Sequence, residues 1–164
     1  MEEWKQMILL FILNLILVLI LIFILLSGYL QAYQVIDGDS LKRNGEVYRL
    51  HGIDAPELDQ TCLQDNLTIQ CGRMSQQYLK KLNDKYYLLC VKRGKDIYKR
   101  HLVTCYANYK DVGSLMVQDG MAIAYKKYSN KYTDDENYAK KNNHGIWQTK
   151  FISPWLWRKQ NRGD

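Results

Sequence analysis

Asp37, Asp39, Arg49, Asp54 and Glu57 lie in one stretch, VIDGDSLKRNGEVYRLHGIDAPE, whose other residues alternate like a half-buried strand. Carboxylates that converge from different strand ends can hold a hard divalent cation such as Ca²⁺, which takes oxygen ligands from side chains, backbone carbonyls and water. The pair Asn44-Gly45 is a strong hairpin turn and predicts that residues 46–53 fold back along residues 40–43. Asp54 then returns towards the turn holding Asp37, Gly38 and Asp39, and the rigid step past Pro56 could aim Glu57 at a water. The plainer alternative makes Asp37-Gly38-Asp39 an Asx turn and Asp54 to Glu57 a surface loop. Strict alternation would also put Arg49 and Asp54 on opposite faces. Gly52 relieves this if it marks a bulge or bend.

The elements that must position these groups follow from local pattern. Strands are expected over 32–36, 40–43 and 46–53, forming a meander. A helix is expected over 73–82, where Met74, Tyr78 and Leu82 recur at helical spacing. Two β-rich runs over 86–92 and 101–107 would place Cys90 opposite Cys105 if the turn centres near Ile97 and Tyr98. A second helix is expected over 112–118, ended by Asp119-Gly120. A third follows a capping box of Thr133 and Glu136 and stops at His144-Gly145. Trp155 and Trp157 read as a terminal tail packed onto the domain. Five strands and three short helices suggest an α+β fold, a five-stranded antiparallel barrel of the oligonucleotide-binding (OB) type, since closure removes exposed sheet edges.

One segment stands outside that domain. Residues 7–26 are apolar except for Asn14, long enough to cross a bilayer as a helix. Its length favours an uncleaved transmembrane anchor, with a cleavable signal segment as the alternative. Beyond residue 32 the chain carries 22 Lys and Arg against 15 Asp and Glu, a net +7, because the first 32 residues hold only Glu2, Glu3 and Lys5. A basic, tyrosine-rich surface suits a polyanion, either nucleic acid or an anionic membrane. Cys62, Cys71, Cys90 and Cys105 all follow the apolar segment without a Cys-x-x-Cys pair. Pairing Cys62 with Cys71 and Cys90 with Cys105 fits the chain order, though four cysteines allow three connectivities and four reduced thiols are the alternative. Disulfides would put the domain outside the cytoplasm, or make it secreted if the segment is cleaved.

The stretch resembles the active-site hairpin of the thermonuclease family, staphylococcal or micrococcal nuclease, with its Asp-Gly-Asp-Thr, then Arg, then Asp-Thr-Pro-Glu or Asp-Ala-Pro-Glu. Similarity extends over residues 33–147, through DIYKRHLVTCYA, VGSLMVQDGMAIAY and HGIW, in the family's order. The resemblance implies an OB barrel with three helices; with the composition it sets a domain at 33–164, after a flank at 1–6, the apolar span at 7–26 and a short tether at 27–32. It implies that Asp39 and Asp54, with the Ala55 carbonyl, bind Ca²⁺ and that Arg49, Glu57 and Arg100 are catalytic. It implies Ca²⁺-dependent hydrolysis of DNA and RNA with little sequence preference, giving 3′-phosphate ends; the catalytic domain is expected to be monomeric, with no protein partner implied. Tyr98 and Tyr125 could stack on the substrate. Departures are Ser40 for threonine, Lys99 for the glycine before Arg100, and a shorter hairpin. A membrane-tethered OB module that binds nucleic acid without cutting it would keep the barrel and the charge. It has no need of Arg49, Asp54, Glu57 and Arg100 together. A structural or uptake-machinery protein is a third reading.

Overall fold

A computed structural model describes residues 3–29 and 33–161, with the side chains of residues 26–29 excepted. The chain divides between residues 31 and 32 into two units. The first holds one helix, α1 (Glu3–Tyr29), of which Glu3–Leu25 is long and apolar enough to cross a membrane. Asn14, the polar interruption, turns its side-chain amide back onto the Leu10 carbonyl at 3.1 Å, so its donor is satisfied within the helix. The proposed tether overlaps the end of α1 at residues 27–29, and residues 30–32, including the start of the strand expected at 32–36, lie outside the described residues.

The second unit is built on a sheet of β1 (Gln34–Val35), β2 (Ser40–Arg43), β3 (Glu46–Leu50), β7 (Leu89–Lys95), β8 (His101–Ala107) and β9 (Lys110–Asp111). Its order is β1-β2-β3-β8-β7, with β9 on β8. The β2–β3 hairpin forms at Asn44 and Gly45, with φ of 52° and 80°, the left-handed pair that a two-residue hairpin turn requires. Beyond Leu50 the strand does not continue. At Gly52 φ is +83°, the chain bends, and β4 (Ile53–Asp54) pairs instead with β10 (Ile123–Ala124). A small hairpin, β5 (Cys62–Gln64) and β6 (Leu67–Ile69), leads into α2 (Cys71–Lys85). Then come α3 (Val112–Gln118), capped by the Asp111 carboxylate on the Gly113 and Ser114 amides, α4 (Thr133–Lys141), a 3₁₀ turn at Gly145–Gln148, and α5 (Pro154–Asn161). The core is formed by Leu41, Leu50, Ile53, Leu79, Val103, Val112, Met116 and Tyr132 between sheet and helices.

The fold is α+β of the OB type, with corrections to its expected details. Five helices are described rather than one span and three helices, because the tail forms α5; α2 also extends past both expected ends. Ten short strands replace five, since bends at Gly52 and elsewhere divide the expected runs. The sheet is mixed, β3 and β8 being parallel, with Arg49 opposite Leu102. No closed barrel forms among the described residues, because β4 and β10 bond only to each other as a separate two-stranded pair. The strand expected at 86–92 runs over Leu89–Lys95 because α2 persists to Lys85 and Tyr86 caps it. The capping box is also absent: Tyr132 is the cap of α4 and makes no side-chain cap bond, while Glu136 is drawn to the Ala124 amide, Lys126 and Lys140. Trp155 is exposed and Trp157 half-buried, so the tail docks through only one of the two indoles.

Candidate active site

The hairpin register sets Ser40 opposite Arg49, and the Leu50 amide donates to the Asp39 carbonyl at 2.8 Å. Asp39 therefore lies at the mouth of the hairpin, beside the bend that carries Asp54. Both carboxylates are buried, Asp54 completely. The Arg49 guanidinium bridges them, with Nη1 against Asp39 Oδ1 and Nη2 donating to Asp54 Oδ1 at 2.8 Å. The bend at Gly52 is what allows this. A side chain there would meet Ser129 Cβ and Tyr132 Cε2 at 3.1 Å in a backbone conformation already unfavourable to anything but glycine. Arg49 and Asp54 thus face one another despite their odd separation.

The Asp37-Gly38-Asp39 segment is an Asx turn as well, the Asp39 amide donating to Asp37 Oδ1 at 3.0 Å. The turn and site readings prove compatible, because the turn orients the Asp39 side chain inward. Asp39 Oδ2 accepts the Ala55 amide at 2.7 Å and Oδ1 accepts the Ser40 hydroxyl at 3.1 Å. Ala55 hence meets Asp39 through its N–H.

Glu57 sits on a loop held by Gln60, whose buried side chain accepts the Glu57 amide at 3.2 Å and donates to the Ile152 carbonyl at 2.8 Å. The start of α2 closes on the same loop. A Cβ on Gly72 would stand 1.7 Å from the Glu57 carbonyl oxygen, so only glycine permits this approach. The Cys62–Cys71 disulfide, Cα–Cα 5.8 Å, ties loop to helix, and Cys90–Cys105 joins directly opposed residues of β7 and β8.

Arg158, on α5, is the residue that sequence reasoning missed. Its Nη1 and Nη2 donate to Asp54 Oδ1 and Oδ2, each at 3.0 Å, and Nη1 also donates to Glu57 Oε1 at 2.6 Å. The available signal was weak: one arginine after a Pro-started aromatic segment, WLWRK. Arg100 is placed otherwise. It pairs with Asp96, Nε to Oδ2 at 2.7 Å, while its amide donates to Asp96 Oδ1 at 2.9 Å. It is still close enough for its charge to act on Arg49. Preceding it, Lys99 adopts φ of +65°, the left-handed conformation in which a glycine would rest without strain.

Arg100 lies over the Tyr98 ring at 5.5 Å, and both line a groove of about 240 Å³ with Lys95, Lys99 and His101. Tyr125 is half-buried against Tyr128, its amide donating to the Gly52 carbonyl at 2.8 Å. It supports the bend through its backbone.

Burial pulls the Arg49 guanidinium below its ordinary pKa, against the attraction of Asp54 and Asp37 and together with repulsion from Arg100 and Arg158. Burial also disfavours the Arg158 charge, but the hydrogen bonds and attraction of Asp54, then those of Glu57, outweigh it and raise its pKa. The cluster holds four carboxylates, Asp37, Asp39, Asp54 and Glu57, against the guanidiniums of Arg49 and Arg158. The formal charge of the cluster is therefore −2, four carboxylates against two guanidiniums.

An ionised carboxylate has about four acceptor sites. Among the described residues Asp39 Oδ1 and Asp54 Oδ1 each carry two partners, and the Oδ2 atoms one each. One acceptor site is left on each Oδ2. No group of three or more His, Cys, Asp or Glu placed to hold a metal occurs among the described residues. Carboxylate oxygens with a free acceptor site are donors of the kind that suits a hard cation.

The sequence profile described as Staphylococcal nuclease homologue matches residues 47–149. The match contains Arg49, Asp54, Glu57 and Arg100, with Asp39 before it and Arg158 after it. The chain is 35% identical over 119 residues to the succinoglycan biosynthesis protein ExoI of Rhizobium meliloti, covering 70% of this chain and 62% of that protein. It is 32% identical over 137 residues to an uncharacterized endonuclease of Haemophilus influenzae, covering 79% and 72%. It is 28% identical over 151 residues to a micrococcal nuclease of Shigella flexneri, covering 80% and 81%. With the profile spanning most of the folded unit, the chain belongs to the staphylococcal nuclease homologue family.

Proposed function

We propose that the chain is a nuclease that hydrolyses phosphodiester bonds of DNA and RNA with little sequence preference and leaves 3′-phosphate ends. The observation that carries this reading is the convergence of Asp39, Arg49, Asp54 and Glu57 at the end of one hairpin. Family membership and the nuclease names of two relatives support it. A phosphodiester is anionic, and attack by water builds further negative charge on its oxygens. Arg49 and Arg100, the latter with its Nε paired to Asp96, are assigned as fork-shaped donors to those oxygens, beside the buried carboxylates of Asp39 and Asp54. Glu57, whose side chain is 29% exposed, takes the proton of the attacking water or orients it. Ca²⁺, held by Asp39 and Asp54 with the Ala55 carbonyl as a further oxygen, would supply Lewis-acid stabilisation of that charge when bound. Tyr98, exposed beside Arg100, offers a stacking face to a base or sugar.

The wider setting belongs to the same proposal. In it the apolar α1 is a membrane anchor, and the two disulfides support a catalytic unit outside the cytoplasm. The test uses the full chain in detergent with DNA and RNA substrates, with Ca²⁺ and with chelator, beside Glu57→Ala and Arg100→Ala. Cleavage is expected with Ca²⁺, is lost in chelator, and falls by about two to three powers of ten in each variant, roughly 3–4 kcal/mol of transition-state stabilisation. Cleavage that persists in chelator, or unchanged in both variants, overturns the mechanism. Binding without cleavage would identify a nucleic-acid-binding module instead.

A further inference from the structure

Arg158 lies beyond the residues that match the family profile, yet it makes more bonds within the site than Arg100 does. We infer that Arg158 is a positioning residue of the reaction: α5 docks so that one guanidinium locks Glu57 to Asp54 and fixes the direction from which Glu57 meets the attacking water. Its Nη1 is shared between Asp54 Oδ1 at 3.0 Å and Glu57 Oε1 at 2.6 Å, and Nη2 anchors the fork on Asp54 Oδ2 at 3.0 Å. Asp54 is fully buried on β4 and also held by Arg49, whereas Glu57 belongs to a loop and is partly exposed. A fork on a buried carboxylate that reaches a more exposed one transfers order from the first to the second. The docking of α5 serves this arrangement. Gln60 binds the Glu57 amide and the Ile152 carbonyl at once, so the loop of the base and the chain entering α5 are held by one buried side chain.

The proposal rests on the nuclease reading, and its test separates the two. Arg158→Gln, Arg158→Lys, Glu57→Gln and the double variant Arg158→Gln/Glu57→Gln are compared in the full chain, by steady-state kinetics and by amide hydrogen exchange. Arg158→Gln is expected to lower kcat by about ten- to a hundredfold with KM within about threefold, and Arg158→Lys to recover part of the loss. In the Glu57→Gln background, removing Arg158 should cost less than about threefold more, because Arg158 acts through Glu57. Exchange of the Glu57 and Gln60 amides, which bond to Gln60 Oε1 and the Glu57 carbonyl, should accelerate by about tenfold or more while β8 amides keep their protection. Accelerated exchange in β8 as well would mean general unfolding, and the kinetics and loop exchange of Arg158→Lys then decide. Wild-type kcat with unchanged loop protection in Arg158→Gln overturns the inference, as do fully multiplicative losses in the double variant. A wild type that cleaves nothing with Ca²⁺ sinks the nuclease reading, and loop exchange alone then judges whether Arg158 orders Glu57.

Discussion

Arg49 shows how much of this site depends on one side chain. Its guanidinium stands between two buried carboxylates, and without it Asp39 and Asp54 would face each other with one less compensating charge. Breaking a buried ion pair from one side typically costs about 3–5 kcal/mol. Arg49→Ala should therefore lose about that much stability in chelator, measured by urea unfolding, and regain part of it when Ca²⁺ binds only the folded site. A loss below about 1 kcal/mol, or no response to Ca²⁺, would show that the two carboxylates are not coupled in this way. At this scale the sequence was informative about identity more than about pairing. Asp39, Arg49, Asp54 and Glu57 were recognisable from type and order. Arg100 was expected to join them and pairs with Asp96, while Arg158 had no motif to announce it.

Short-range rules predicted elements well where the local code is strong. Asn44-Gly45 turns as expected, α3 spans the residues expected of it, and Cys90 faces Cys105 across β7 and β8. They failed where a tertiary partner competes, as at Glu136. Its carboxylate joins α4 to β10 through the Ala124 amide at 3.1 Å and accepts Lys126 at 2.8 Å and Lys140 at 2.9 Å. Burial works against its charge, yet the two lysines hold its pKa below the ordinary glutamate value. A pKa lower in the folded state means that the unfolded chain takes up the proton first. The stabilisation is then complete above the ordinary value, about 4.3, and is lost as pH falls through the lower folded value. Glu136→Gln should cost about 1–3 kcal/mol at pH 7, the difference narrowing steadily below about pH 4. A difference that stays constant across urea titrations from neutral pH to pH 3.5 would count against the pairing.

For the whole molecule, the two disulfides bound the folding problem. Their sequence separations are 9 and 15 residues, and closing loops of that size stabilises the fold by about 3 kcal/mol each in the chain-entropy model. Freshly isolated protein, denatured without reductant, should show no reactive thiol. Four reactive thiols would overturn both the pairing and the extracytoplasmic placement. Cys90→Ser/Cys105→Ser should lower stability by about 3 kcal/mol in urea unfolding. The basic balance beyond residue 32 and the apolar length of α1 were legible in composition alone, because charge balance and apolar length need no knowledge of contacts.

The division between the two sources of information runs through the active site itself. By its sequence alone the protein determines a hairpin with carboxylates at its ends, since turn chemistry and strand alternation act over a few residues. The sequence also announced a difficulty, Arg49 and Asp54 on opposite faces, and named the glycine able to resolve it. Only the tertiary structure decided that Gly52 bends at φ +83°, that the strands among the described residues stop short of a closed barrel, and that Arg158 arrives from 104 residues away to meet Asp54. Such meetings depend on how α2, β10 and α5 pack around the bend. Packing is a property of surfaces brought together from distant parts of the chain, and residue spacing does not encode it.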